Sequence, residues 1–296
     1  MRQEIIVKEN FIGKRLDKFL SEVLNSVSRS KILKCIKEKK VLVDGEFKKP
    51  SYKVDLNQRV VVDVEEEKTY LKPYEFDIPI IYEDNHILVI DKPQNLVVQP
   101  DSSNKSIINA LIYLKKELST INPQRPGVVH RLDKDTSGVM VFAKNNFSHL
   151  NLIEQFRLRK VKKEYLAISW GDIKQDNIKV DLPIGRDTKE RVKMKISFIK
   201  SKQALSEIKV LERLTGAVLL LIRPITGRTH QIRVHLKFLE LPIVGDKKYG
   251  IKDKEKELFL HASRLGFFHP ETKKFLEFSS PMPLRFKNFI ERYKNV

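Results

Sequence analysis

HRLDKDTSG, residues 130–138, stands between the apolar runs PGVV and VMVFA. It packs two cations, two carboxylates, a histidine, two hydroxyls and a glycine into nine positions. Apolar flanks of this kind predict strands, so the polar stretch reads as a loop delivered by a rigid sheet, a common way to hold a catalytic group. Asp133 or Asp135 then stands ready as a nucleophile or a base. A plainer reading is a turn in which Asp, Thr136, Ser137 and Gly138 only satisfy backbone groups. The stretch by itself leaves the two level.

Working outward from it, runs rich in Val, Ile and Leu predict strands at HILVIDK (86–92), GVMVFAK (138–144), KEYLAISW (163–170) and AVLLLIRP (217–224). Helical spacing appears at SIINALIYLKKEL (106–118), NNFSHLNLIEQFRLRK (145–160) and THQIRVHLKFLE (229–240). Strands outnumber helices and do not alternate with them regularly, which predicts an α+β fold around a mixed or antiparallel sheet.

A second polar cluster, RPITGRTHQIRVH (223–235), follows an apolar strand and turns helical, bringing Arg228, His230, Arg233 and His235 together. The start of a helix favours anions. An arginine from this segment can pair with an aspartate of the first loop and keep it ionised and oriented, the setting that a nucleophilic carboxylate needs. His130, His230, His235 and His261 also raise a metal site with Asp133. Positions 230 and 235 stand about 140° apart around a helix that advances ~100° per residue, so they do not share a ligand face. No metal is expected; hydrogen bonds to loop backbone are the expectation for these histidines.

Charge points to the partner. The 296 residues hold 57 Lys and Arg against 38 Asp and Glu, a formal net charge of +19, which favours a polyanion and nucleic acid first. The amino terminus has no secretory apolar core and no run approaches the ~20 residues of a membrane span, so a cytoplasmic protein without membrane contact is expected. Cys35 has no second cysteine to bond and reads as a small core residue.

Residues 1–64 form a separate basic block, with 15 Lys and Arg against 9 Asp and Glu. Two amphipathic helices are predicted, in RLDKFLSEVL (15–24) and SRSKILKCIKEKK (28–40), the second capped by Ser28. A DG turn at 44–45 separates extended segments, and QRVVVDV (58–64) closes the block as a strand. From the second helix and its end, Arg29, Lys31, Lys34, Lys37 and Lys40 can face phosphates, a largely sequence-independent source of affinity. EEEKTYLKPYEF, residues 65–76, breaks the periodicity and is read as a linker, leaving 77–296 as the second domain.

With RLD, then SRS, a basic helix and VLVDG, residues 1–64 resemble the alpha-L RNA-binding domain first described in a small-subunit ribosomal protein. In the second domain HRLDKDTSG, KKEYLAISWG, PITGRTHQIRVH, LPIVGDKKYG and LFLHASRLGFFHP follow one another in an order that resembles RluA-type RNA pseudouridine synthases. That resemblance implies isomerisation of uridine in RNA to 5-ribosyluracil, with no cofactor and no metal. It gives Asp133 the role of catalytic carboxylate, whether toward the sugar or the base, and Tyr165 that of a ring stacked on the target base. Arg233 would pair with the aspartate, Arg228 would hold phosphate, and Arg131 would enter the stack vacated by an extruded nucleotide.

The implied partner is ribosomal RNA of the large subunit, with transfer RNA as the alternative, and the protein is expected to be monomeric. A noncatalytic RNA-binding or ribosome-assembly protein of the same fold is the rival class. Departures from the pattern are mild: Leu241 stands where a histidine is frequent, and IKDKEKEL (251–258) is short and charged.

Overall fold

The computed structural model describes residues 2–24, 27, 29–63, 71–100 and 105–294, with backbone alone at 2 and 29–31. The chain divides into two compact units, Met1–Tyr70 and Leu71–Val296.

In the first unit, strand β1 (Arg2–Ile6) leads through a 3-10 turn to helices α1 (Leu16–Val23) and α2 (Arg29–Lys37), then to β2 (Val41–Val43), β3 (Glu46–Phe47) and β4 (Arg59–Asp63). The strands form an antiparallel sheet in the order β1-β4-β2-β3. Leu16, Phe19 and Leu20 of α1 and Ile32 and Ile36 of α2 are fully buried against Val41, Val43, Val60 and Val62 of the sheet, with Cys35 among them. The DG turn places Asp44 and Gly45 at φ 50° and 83°, the left-handed pair that a two-residue hairpin demands. Strand β1 was not evident from local pattern: it pairs with β4, more than fifty residues away, and leaves Ile6 half exposed.

The second unit begins with β5 (Ile80–Glu83), β6 (Ile87–Lys92), α3 (Ile107–Tyr113), β7 (Ser137–Ala143), α4 (Asn146–Arg157) and β8 (Lys162–Trp170). It continues with β9 (Asn177–Asp181), β10 (Ile184–Arg186), β11 (Met194–Ile196), β12 (Ser201–Lys202), β13 (Leu205–Leu214) and β14 (Ala217–Pro224). It ends with α5 (Gln231–Phe238), β15 (Leu260–Phe268), β16 (Phe275–Ser279) and α6 (Leu284–Tyr293). The main sheet runs β5-β6-β7-β15-β8-β14-β13-β9, with β16 paired to β15, while β10, β11 and β12 make a small sheet of their own. Only the β7–β15 pairing is parallel among the described strands, so the fold is α+β around a mixed sheet.

The sheet is buried on both faces, and the alternation of the strands shows how. Leu88, Ile90, Met140 and Phe142 face α3 with Ile107 and Leu111, whereas Ile87, Val89, Val139 and Val141 face α4 with Leu152. Side chains on both faces are therefore apolar, and β6 and β7 read as unbroken hydrophobic runs. Further along, α5 and α6 cover β8 and β14; Phe286 and Phe289 of α6 pack on Phe259 and Trp170. The sharp ends of the helices follow from local chemistry. Asn145 Oδ1 accepts from the Ser148 N–H at 2.9 Å to cap α4, and Ser106 Oγ caps α3.

Several expectations need correction. Of the segment read as a linker, residues 65–70 lie outside the described residues, while 71–76 pack with the second unit. There the Tyr74 N–H bonds the Asn109 carbonyl at 3.0 Å, and Tyr74 and Phe76 join its core. The run PGVV before the polar loop is no strand: Val128 makes a single bridge to Phe142. Ser137 and Gly138 belong to β7 instead of the turn. Gly138 has φ 115°, and a Cβ there would lie 2.1 Å from the Ala262 carbonyl oxygen of β15, so the parallel pairing needs glycine at this point. The predicted capping residue Ser28 and the side chains of Arg29 and Lys31 lie outside the described residues.

Candidate active site

The polar loop 129–136 leaves a bridge at Val128 and enters β7 at Ser137, so both ends are anchored in sheet. Its underside is held by Lys92, the last residue of β6. That side chain is fully buried, and its ammonium donates to the carbonyls of Pro93 (2.8 Å), Lys134 (3.1 Å) and Thr136 (2.8 Å). Three donors of a tetrahedral cation thus meet three acceptors that the turn would otherwise leave unsatisfied. Burial lowers the Lys92 pKa from 10.5 to about 7, while Asp135 and Asp133 pull it back up. Gln94 adds a bond from Nε2 to the Asp135 carbonyl at 2.6 Å.

Asp133 emerges from this clamped loop into a cavity of about 530 Å³, within the range of small-ligand sites, roughly 300–1,000 Å³. Among the described residues it supplies the one carboxylate of the lining. Asp135 is not part of that lining. Across the cavity, the turn that follows β14 is knitted by Gln231: its Oε1 accepts from Thr226 Oγ1 (2.7 Å) and the Arg228 N–H (3.0 Å), and its Nε2 donates to the Leu205 carbonyl (2.9 Å). This places Arg228, His230 and Arg233 on the wall that faces the loop.

Arg233 is nearly inaccessible and its strongest partner is Asp246, not Asp133. Nε and Nη2 make a fork on the Asp246 carboxylate at 2.8 and 2.6 Å, while Nη1 reaches Asp133 Oδ2 at 3.5 Å. The planar guanidinium is thereby fixed on one carboxylate and presents its remaining edge to the other. Asp246 also accepts the N–H groups of Lys248 and Tyr249 at 2.9 and 3.0 Å; Arg233 and these bonds hold its pKa below the usual carboxylate range against the pull of burial. The expected arginine–aspartate pairing is therefore one half of an Asp246–Arg233–Asp133 chain. The middle of that chain was readable in HQIR; Asp246 sits in VGDKKYG with no local sign of its partner.

His230 occupies the position before α5 with φ 55°. Its Nδ1 lies 2.7 Å from the Tyr249 hydroxyl, which itself accepts from the Met194 N–H at 2.7 Å, and its Nε2 lies 3.8 Å from Asp133 Oδ2. The expected bonding to loop backbone fails for His230 and for His130, whose partner lies in β7, and holds for His235 and His261. His235 Nε2 meets the Leu182 carbonyl at 3.1 Å, and His130 Nε2 accepts the Val141 N–H at 3.1 Å. His261 lies between Ser137 Oγ (2.9 Å) and the Ser280 carbonyl (3.4 Å). His130 is stacked on Phe156 and its pKa is pushed down to about 3 by burial and then by Lys163, so it is neutral.

Tyr165 comes from β8, where its ring bridges two core clusters and still lines the cavity. Burial raises its phenol pKa and the Asp133 charge raises it further, which keeps the hydroxyl protonated. Arg131 is exposed at the cavity wall with no protein partner among the described residues. Arg228 donates from Nε to the Gln203 carbonyl at 2.9 Å and has no carboxylate on it among the described residues. In the first unit, Lys34 and Lys37 are exposed on α2, Lys34 loosely paired with Glu38 at 3.9 Å.

Comparison with known proteins gives the same outline. A profile described as RNA pseudouridylate synthase matches residues 86–238, and one described as S4 domain matches residues 14–60. An uncharacterized RNA pseudouridine synthase of Bacillus subtilis (strain 168) is 38% identical and the match spans 98% of each chain. Ribosomal large subunit pseudouridine synthase D of Salmonella typhimurium is 35% identical, over 96% of this chain and 92% of that one. Among solved structures, Human RNA Pseudouridylate Synthase Domain Containing 4 superposes with a TM-score of 0.59 at 28% identity, covering 72% of this chain and 92% of the other.

Proposed function

Because the chain belongs to the RNA pseudouridylate synthase family, we propose that it converts uridines of large-subunit ribosomal RNA to pseudouridine with Asp133 as the catalytic carboxylate. The observation that carries this reading is the lone carboxylate of a cation-lined cavity, held from below by Lys92 and from across by Arg233. The family is one of isomerases, and RNA is its partner. The name of the Salmonella relative supports the ribosomal substrate. Transfer RNA is the second candidate.

The chemistry asks little beyond what the cavity offers. Uridine and pseudouridine have the same atoms: the N1–C1′ bond breaks, a C5–C1′ bond forms, the C5 proton leaves, and N1 gains a proton. No redox partner or group donor enters, so a cofactor is not required. Asp133 acts at the glycosidic bond, where a carboxylate in direct contact with the reacting centre can form or stabilise the detached state. Arg233 orients it, and Tyr165, protonated and apolar over most of its surface, lies under the turning base. A base inside a helix cannot reach such a cavity. The nucleotide must be extruded at a cost of a few kcal/mol, and Arg131 is placed to fill the vacated stack. Arg228 holds backbone phosphate. In the S4 unit, Arg29, Lys31, Lys34 and Lys37 of α2 supply the sequence-independent affinity that brings RNA to the enzyme.

No helix among the described residues is long and apolar enough to cross a membrane. We read the protein as a cytoplasmic monomer that meets RNA during ribosome assembly. The test is tritium release from ribosomal RNA labelled at uridine C5: the wild type releases label and the Asp133→Asn variant releases none. A wild type inert on ribosomal and transfer RNA alike would leave the noncatalytic RNA-binding reading in its place.

A further inference from the structure

Among the described residues six cations line the cavity against a single carboxylate, and they are not equivalent. Arg157 pairs with Glu154 and Arg233 with Asp246. Lys163 has no carboxylate partner among the described residues. Its ammonium is part-buried and makes one hydrogen bond, to the Thr226 carbonyl at 3.2 Å, which leaves two of three N–H groups without a protein acceptor. Burial and the neighbouring Arg159 guanidinium lower its pKa to about 8. Lys163 and Arg159 thus line the same cavity and repel each other, and an anion bound by both relieves that repulsion.

Arg159 ends α4 as Lys39, Lys115 and Glu240 end other helices of the chain. It follows α4 with φ 58°, the Lys160 N–H bonding back to the Gln155 carbonyl at 2.9 Å, the helix-ending geometry that glycine adopts without strain. From this end of α4 the arginine lines the cavity. Lys163 and Tyr165 stand two residues apart on β8, on the same side of the strand and about 7 Å from each other. A cation one strand step from the ring that meets the base is placed for the sugar–phosphate side of the same nucleotide. We propose that Lys163 and Arg159 form the seat of one phosphodiester flanking the extruded nucleotide, its two nonbridging oxygens shared between ammonium and guanidinium. The proposal rests on the reading of the chain as an RNA uridine isomerase.

The experiment is a cycle of two changes. One is Lys163→Met in the full-length protein; the other is a neutral methylphosphonate in place of the phosphodiester on the 5′ or the 3′ side of the target uridine. With wild type, one of the two neutral linkages raises KM about tenfold to a hundredfold, the loss of one charge-assisted contact, with kcat little changed. Lys163→Met raises KM by a similar factor on unmodified RNA and is then insensitive to that linkage. Lys163→Arg restores part of the loss. The seat is overturned if the variant keeps the full sensitivity of wild type at both linkages, or if its defect lies in kcat with KM unmoved. Wild type inert on every RNA overturns the isomerase reading itself, which additive effects in an active enzyme do not. Fluorescence of Trp170 reports that the variant is folded.

Discussion

Replacing Lys92 by methionine tests how the loop under Asp133 is held, and the structure fixes both the sign and the size of the effect. The Lys92 ammonium titrates at about 7 in the folded chain and at 10.5 as a free side chain. Between those values the unfolded chain binds a proton that the folded chain does not, so wild-type stability rises with pH there by about 1.4 kcal/mol per pH unit. Below pH 7 both states are protonated and this slope vanishes. Keeping the proton on Lys92 in the fold therefore costs roughly 4–5 kcal/mol at neutral pH, a net figure that already includes the bonds to the three carbonyls. In the Lys92→Met variant those carbonyls lose their donor, at about 1–3 kcal/mol each where they stay dry, and the charge penalty disappears. The two nearly cancel at pH 7, so the variant stays within a few kcal/mol of wild type. The gap then widens in favour of wild type by about 2 kcal/mol between pH 7 and pH 9. Urea unfolding followed by Trp170, the chain's single tryptophan and part of the second unit's core, measures it. Lys163 titrates alike in both proteins and drops out of the difference. A gap that is constant over pH 7–9, or that shrinks, would refute the clamp as a buried titrating cation.

Asp246→Ala leaves Arg233 buried without its fork, and a loss of about 3–5 kcal/mol should appear in thermal unfolding together with a fall in tritium release; unchanged kcat would show that the fork does not orient Asp133. Gly138→Ala puts a Cβ 2.1 Å from the Ala262 oxygen at φ 115°, so a destabilisation of roughly 3 kcal/mol or more is expected by urea denaturation. Arg131→Ala should slow turnover more on a base-paired substrate than on an open loop of the same sequence. Equal losses on the two RNAs would remove Arg131 from the stack.

What could be read from the chain before folding depended on the range of the contact. Apolar runs such as HILVIDK and AVLLLIRP announce strands because burial on both faces demands an unbroken series of large side chains, and the DG turn announces its hairpin because few other pairs tolerate two left-handed residues. The polar loop announced itself by contrast with its flanks. Its support did not. Lys92 looks like the polar end of a strand, and its bonds to Lys134 and Thr136 cross more than forty residues. Asp246 follows Arg233 by thirteen residues, in a turn whose own geometry gives its carboxylate local work on two N–H groups. Ser137 and Gly138 resemble turn residues by composition; they are strand residues because β15, over a hundred residues later, presses its backbone against them. Partners fixed by the sheet's closure leave no trace in local spacing.

The place of β15 also sets a timetable. It lies between β7 and β8 at the middle of the sheet, yet Leu260–Phe268 comes later in the chain than every other strand of that row. Until it is made, β5-β6-β7 and β8-β14-β13-β9 are two half-sheets with open edges and no shared centre, a state of high contact order in which nascent chains gain little from early collapse. The loop bearing Asp133 takes its final shape only when that strand slides in. The two half-sheets flanking the Asp133 loop are thus joined only by a strand made after both of them.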